Sequence, residues 1–449
     1  MCKTNDDKYI YKCCLKQMTP MIHFQSDEPG AIIRASELKP KLDRFILSKV
    51  QENVSNDWYL CQDKEKRNNN ALNYKVRITV NGTPIKSEER KLYREYKREL
   101  AKTTDEKKIK VIKRAYQNNS GRINNMYFGN MGNDENQYKE TIMYKGDISL
   151  TIICFIPELM KRIEECLEEF FLVTNFGTRQ SKGFGGFIIS KVYDYNSLIQ
   201  ILQNAGYSFL YVDWEENVDF SEMGQLEKAN YMLNCAKVVY SVMKSGINNK
   251  FGDEKGYIKG YIQREYLTDI GQTNCGSEKA CIKNRFNNEI SINNQTQNNK
   301  YYNYCFVRAL LGLPDNYRFN KGNKTIKVKN EEIERFQSPV TIKVIDNYLI
   351  FLMNDSYNEI LGKNFEFLLE EKKGKNREVK GRVNISVPNN FDHNVFLKKF
   401  AEYFNNKKNK ELYNFSIPKQ EKEYNNLPKL YKEFPGTLKY IIPQNGGDK

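Results

Sequence analysis

The sequence predicts an α+β fold, and two observations predict it. Residues 142–193 run in the order strand, helix, glycine-rich loop, strand. Further β-rich runs recur toward both ends of the chain, with amphipathic helical stretches between them. At 449 residues the chain is long enough for two or three units, each burying its own core.

Taken in order, YIYKCCLKQMTPMIHF (9–24) is rich in β-formers and reads as an opening strand, broken or bulged near Pro20. After the polar turn SDEPG, the stretch AIIRASELKPKLDRFILSKV puts Leu38, Leu42, Phe45 and Ile46 on one helical face. Ser36 is its expected N-cap. Because proline is tolerated in a first turn, Pro40 sets the expected start near residue 37. LNYKVRITV (72–80) reads as a strand and Asn81-Gly82 as a turn. From Pro84 to Gln117 the chain is helical in pattern and carries 12 basic and 6 acidic side chains. A break is expected at Thr103, which has capping-box spacing to Glu106. Both a solvated helical hairpin and a nucleic-acid contact fit that stretch.

GDISLTIICFIPELMKRIEECLEEFFLVT (146–174) reads as strand then helix, with Pro157 in the first helical turn. Its apolar stripe is Leu159, Ile163, Cys166, Leu167 and Phe170. The strand GFIISKVYD follows the glycine loop, and another amphipathic helix is expected over about 221–245, with Leu226, Met232, Ala236, Val239 and Met243 apolar. Residues 288–300 are Asn-rich and read as a linker. YYNYCFVRALLGLPDNYRF then reads as a helix stopped by Gly312 and Pro314. SPVTIKVIDNYLIFLMN and NFEFLLEE are β-rich, and FDHNVFLKKFAEYFNN closes the ordered part as a helix. The Lys/Asn-rich tail from 406 is expected to wrap or stay mobile.

Lys and Arg exceed Asp and Glu by 71 − 56 = 15. Such a surplus favours polyanionic partners, nucleic acid before anionic membrane. No apolar run approaches the roughly 18 residues that would suggest a membrane-crossing helix. The first residues, MCKTNDDKYIYKCC, lack the apolar core of a signal peptide, so the expected compartment is cytoplasmic. Ten cysteines without a repeated CxxC, and two histidines far apart, His23 and His393, support no zinc site. The cysteines read as reduced, buried small hydrophobes. The helices at 84–117 leave open a basic DNA-binding protein, although no helix-turn-helix or zinc signature accompanies them. They lack the continuous Trp-rich apolar face that a membrane surface would select.

The segment NFGTRQSKGFGGF (175–187) is the most informative. A Walker A loop needs GK[ST] at the mouth of a helix, whereas Lys182 precedes Gly183 ahead of a β-rich run. A Rossmann GxGxxG sits between strand and helix, whereas this segment sits between helix and strand. What remains is a loop whose backbone can approach a partner closely, with Arg179 and Lys182 supplying positive charge. Free N–H groups beside two cations suit a sugar–phosphate chain. Phe176, Phe184 and Phe187 either stack on bases or enter the core. Their alternation with glycine favours the core.

The spacing of Gly177, five residues including Arg179 and Lys182, then Gly183-Phe184-Gly185 resembles the glycine-rich loop of the RAMP superfamily of CRISPR ribonucleoproteins. Asn175 stands where that loop has its first glycine, a mild departure because Asn tolerates left-handed backbone. MTPMIHFQSDEPGAIIRASELKPKLDRF resembles the start of these proteins through Thr19, Pro20, Ile33, Ser36, Leu38 and Lys39. RFQSPVTIKVI (335–345) adds weaker similarity to a Ser-Pro strand of two-module members. The chain looks most similar to the large double-module RAMP subunit of Cmr-type (type III-B) effectors.

The resemblance implies tandem ferredoxin-like (RRM-like) modules with helical insertions and no metal or nucleotide cofactor. The expected ranges are 1–215 for a first module with an insertion at about 84–117, and 216–300 for a helical segment and linker. A more divergent second module is expected over 301–405, and a basic tail over 406–449. The implied function is an RNA-binding subunit of a CRISPR type III-like ribonucleoprotein, with guide or target single-stranded RNA and other effector subunits as partners. The expected RNA-binding residues are Arg34, Lys39, Arg44, Asn175, Gly177, Arg179, Lys182, Gly183 and Gly185. Some relatives cut RNA, which makes Asp27, after the first strand, and His23, as a general base, the alternative catalytic candidates of a metal-independent endoribonuclease. An ordinary turn Asp and a core His are the plainer readings. The expectation is a binder that does not cleave.

Overall fold

The computed structural model describes residues 8–22, 32–50, 54–65, 67, 70–85, 98–106, 108–109, 111–112, 141–216, 218–248, 257–258, 260–271, 275–286, 303–314, 316–318, 324–333, 336–373, 376–411 and 427–443. The first part runs β1 (Ile10–Gln17), β2 (Met21–Ile22), α1 (Ala35–Lys49), β3 (Lys75–Val80), β4 (Thr83–Ile85), β5 (Thr141–Lys145), β6 (Ile148–Ile153), α2 (Pro157–Val173) and β7 (Phe187–Ile189). Four of these strands form one sheet in the order β3-β6-β1-β7, every pairing antiparallel. Leaving aside the small side sheet β2-β5-β4, this is a βαββαβ unit with its first and third strands central, the ferredoxin-like arrangement.

After α3 (Tyr195–Asn204) the pattern repeats. β8 (Ser208–Trp214) and α4 (Gln225–Tyr240) open a second unit. An insertion follows: β9 (Ile247–Asn248), β10 (Tyr257–Ile258), β11 (Cys275–Ser277), α5 (Glu278–Arg285), β12 (Asn303–Cys305), β13 (Asn316–Arg318) and β14 (Lys324–Lys329). The unit resumes with the hairpin β15 (Val340–Ile345) and β16 (Tyr348–Met353), and is interrupted again by β17 (Asn364–Lys373) and β18 (Asn376–Ser386). It ends with α6 (His393–Asn405) and β19 (Gly436–Ile441). Its sheet order, β15-β16-β8-β19, repeats that of the first unit, and the inserted strands make a separate six-stranded sheet, β11-β12-β18-β17-β14-β13. The α+β class and the tandem ferredoxin-like architecture are thus both present.

Burial follows the pattern of each segment. β1 alternates, sending Tyr11, Cys13 and Leu15 inward with Ile148, Leu150 and Ile152 of β6. Leu38, Leu42 and Ile46 of α1 and Leu159, Ile163 and Leu167 of α2 cover that side of the sheet. The second sheet is covered on both sides. Leu349 and Phe351 face a core shared with α4 and α6, while Ile350 and Leu352 meet Leu198, Ile199 and Leu202 of α3. Two covered faces explain why YLIFLM is continuously apolar rather than alternating.

Several expectations are corrected. α1 begins at Ala35 with Arg34 as N-cap, so Ser36 is not the cap and Pro40 lies inside the helix rather than in its first turn. Residues 303–311 form β12 and a 3₁₀ turn, Val307–Leu311, instead of a helix, because β12 finds parallel partners in β11 and β18. The tail contributes β19, which pairs with β8 along its length. The second sheet therefore takes strands from 208–214 and 436–441, on either side of the 301–405 range assigned to that module. Most of 84–117 lies outside the described residues. No described helix is long and apolar enough to cross a membrane.

Candidate nucleic-acid interface

The glycine loop runs from the end of α2 to β7 and lies against the strand break at Met18–Pro20. Thr19 is fully buried, and its hydroxyl donates to the Gly183 carbonyl at 2.6 Å while accepting from the Gly186 amide at 2.8 Å. The Gly185 amide donates to the Pro20 carbonyl at 2.9 Å, that of Gly177 to Glu37 Oε1 at 2.6 Å, and that of Gly183 to the Gln180 carbonyl at 3.2 Å. The glycine N–H groups expected to be free for phosphate are therefore used within the chain.

Gly177, Gly183 and Gly185 have φ of +81°, +88° and +69°. A Cβ on Gly185 would lie 1.8 Å from the Phe176 carbonyl oxygen, and one on Gly183 would press on Leu233 of α4 and Ile342 of β15. The close approach that these glycines permit is to their own chain. Phe176, Phe184 and Phe187 are buried, as their alternation with glycine predicts.

Asn175 does not use left-handed backbone. Among the described residues of this loop the non-glycine in that region is Arg179, at φ 58°. The Asn175 side chain instead joins the two units. Its Nδ2 donates to the carbonyls of Gln180 at 2.7 Å and Ile342 at 2.9 Å, and its Oδ1 accepts from Lys343 Nζ at 3.0 Å. Lys343, fully buried on β15, also donates to the Thr174 carbonyl at 2.6 Å. Burial, with the charge of Lys41 nearby, pulls its pKa well below the usual lysine range. Lys41, which the sequence reading passed over, reaches the loop from α1. Its ammonium donates to the Asn175 carbonyl at 2.9 Å and to Gln180 Oε1 at 2.6 Å.

Beside this junction lies a cluster of buried cations. The Lys182 ammonium sits 3.2 Å from the centroid of the Tyr240 ring and has no hydrogen-bond acceptor among the described residues. Burial, then the charge of Arg179, brings its pKa down to about 7. Arg179 is half-buried, and desolvation lowers its pKa too. Lys244, in a π-helical turn (Ser241–Ser245) that continues α4, donates to the carbonyls of Leu311 at 2.8 Å and Gly312 at 2.6 Å. Burial brings it to about 8, with Lys182 and Arg308 adding to the effect. Lys279 is also held near 8 by burial and Arg308. Arg308 is ion-paired with the fully buried Glu278.

The first-helix candidates separate. Lys39 bonds to Asp43 Oδ2 and the Leu72 carbonyl, both at 2.8 Å, and lies over Tyr74, so it serves to hold α1 on the chain before β3. Arg34 is half-buried, and Arg44 is exposed. His23 and Asp27 lie outside the described residues. His393 stands between Ser208 Oγ at 3.1 Å and Asp355 Oδ1 at 3.2 Å, a serine–histidine–aspartate set. Ser208, however, is 2% exposed on a central strand and hydrogen-bonds to Asn394 Oδ1, so no substrate reaches it. The set fastens the start of α6 to β8. Among the described residues no group of three or more His, Cys, Asp or Glu is placed to hold a metal ion.

A family model described as the Cmr1 N-terminal domain matches residues 8–247, and one described as the Cmr1 C-terminal domain matches residues 242–424. The chain belongs to the Cmr1 family. Membership points to a subunit of the multi-subunit type III-B CRISPR effector. The two Cmr1 matches overlap at the π-helical turn that carries Lys244. Among solved structures the chain is similar to that titled the crystal structure of Cmr1 from Pyrococcus furiosus (apo form), at 8% identity and a TM-score of 0.32, over 84% of this chain and 99% of that one. No curated protein matches.

Proposed function

We propose that this chain holds single-stranded guide or target RNA within a type III-B ribonucleoprotein, and that Arg179 and Lys182 contact its phosphates. The observation that carries this reading is the Lys182 ammonium, held against an aromatic face beside Arg179 and Lys244 with no acceptor of its own among the described residues. A phosphate oxygen would supply the missing acceptor and offset the mutual repulsion of these cations. The glycines contribute indirectly, by letting the loop that carries the two cations pack between the units. The three buried phenylalanines leave no stacking role for the loop, so its contact is with backbone and carries no base preference.

The test compares wild type with the Arg179→Ala/Lys182→Ala variant for binding to labelled single-stranded RNA across a salt series. Each lost phosphate contact should flatten the log–log salt slope by about 0.7. A drop of about 1–2 in a variant with unaltered thermal unfolding supports the reading. An unchanged slope refutes it.

A further inference from the structure

We infer that the face of the first sheet opposite α1 and α2, along β3, β6 and the start of β1, where side chains are exposed among the described residues, is a second, separate contact for single-stranded RNA. The β7 edge of that face is covered, Ile188 being buried against Ile345 and Leu352 of the second unit. In β1 the outward positions are Ile10, Lys12, Cys14 and Lys16, in β6 Ser149, Thr151 and Ile153, and in β3 Lys75, Arg77 and Thr79. Register sets them in rows: Lys75 and Ile10 flank Ile153, Arg77 and Lys12 flank Thr151, and Thr79 and Cys14 flank Ser149. Lys12, Lys75, Arg77 and Thr79 are exposed. Two strand spacings put Lys12 and Arg77 about 10 Å apart across the sheet.

Charge identifies the occupant. No carboxylate stands at any of these outward positions, and the side chains of Lys12, Lys75 and Arg77 make no hydrogen bond or ion pair among the described residues. On or beside the helix side of the same unit several cations are matched, Lys39 with Asp43, Lys41 with Glu37, Lys49 with Glu169 and Lys191 with Glu168, while among the described residues the exposed Arg44 and Lys161 are not. Among the described residues of this unit, that sheet face thus carries three unmatched cations and no carboxylate at its outward positions. Lys16, at the far end of β1, is engaged with Asp346 of the second unit at 2.8 Å.

The same sheet carries an exposed aromatic pair where β1 begins and β6 ends. Tyr9 and Phe155 lie with ring centroids 5.6 Å apart, and Phe155 is 73% exposed. An aromatic of that exposure beside unmatched cations and a row of hydroxyls is equipped for unstacked bases, phosphates and ribose hydroxyls together. A duplex hides its base faces, so the arrangement selects a single strand. This inference shares its ligand with the proposed function, yet it rests on different residues and can stand or fall alone.

The test uses the full chain, a labelled single-stranded oligouridylate and a duplex DNA of equal length. Lys12→Ala/Lys75→Ala/Arg77→Ala should lower the salt slope by about 2 and weaken RNA binding about tenfold or more. Phe155→Ala should weaken oligouridylate binding about tenfold and leave duplex binding unchanged. Lys49→Ala, on the matched side, should change neither. Wild-type affinity and slope in the triple variant overturn the inference, as does an equal loss on both probes in Phe155→Ala. If only Arg179→Ala/Lys182→Ala loses binding, the loop reading survives and the sheet-face site fails. If only the sheet variants lose it, the reverse holds.

Discussion

Burial strips water from the Lys182 ammonium, and the face of Tyr240 at 3.2 Å replaces only part of what is lost. If Lys182 contacts phosphate as proposed, its pKa, brought down to about 7, makes proton uptake part of ligand binding. A bound phosphate favours the charged form, so above pH 7 each binding event must protonate this amine. RNA affinity should be flat below about pH 7 and fall as pH rises above it. Stability should move the opposite way. The unfolded lysine stays protonated up to its ordinary pKa of about 10.4, so the unfolded state binds more protons above pH 7 and stability rises with pH over that window. Lys244, near 8, adds to the same trend from about pH 8. Binding and denaturation measured from pH 6 to 9 on wild type and Lys182→Ala check both signs. An affinity unchanged with pH in wild type contradicts the placement of Lys182 at the contact. Lys182 was legible in the sequence because it stands between glycines, whereas Lys244 was not. Lys244 comes beside Lys182 only through a π-helical turn that no residue pattern announces.

The glycine loop acts as an element by being thin enough to lie between the two units. Gly185 and Gly206 separate the two demands on such a residue, since both have positive φ, +69° and +81°, but only Gly185 is enclosed. A Cβ at Gly206 meets nothing within 4 Å. Gly206→Ala should cost only the left-handed backbone penalty, about 1–2 kcal/mol. Gly185→Ala adds a collision with the Phe176 carbonyl and should cost at least about 3 kcal/mol. Chemical denaturation of the two variants checks this, and equal losses would show that the enclosure is not real. The loop's spacing marked it in the sequence, and so did the strand and helix around it, whose periodicities are local. What it packs against was not legible. Asn175 read as a tolerated substitute for glycine, but its amide bridges to Ile342 and Lys343, residues far along the chain. β12 and β19 escaped for the same reason: their partners, not their own residues, make them strands.

At the scale of the whole molecule, the two ferredoxin-like units share a strand order and differ in what covers their sheets. The second is closed on both faces by α3, α4 and α6, and interrupted by a six-stranded insertion. The first is covered by α1 and α2 on one face; its other face packs on the second unit at the β7 edge and carries the unmatched Lys12, Lys75 and Arg77 along β1 and β3. The loop cations lie where the units meet. On the proposed reading the chain would hold a flexible polyanion by several modest contacts, so its affinity should depend steeply on salt and favour a strand whose bases are free. The most direct measurement is competition at graded salt between unlabelled single-stranded RNA and duplex DNA of equal length, for the full chain bound to labelled single-stranded RNA. Single-stranded RNA should displace the probe at least about tenfold more effectively than duplex throughout, with the RNA recovered intact. Equal or better displacement by the duplex would contradict single-stranded RNA as the ligand.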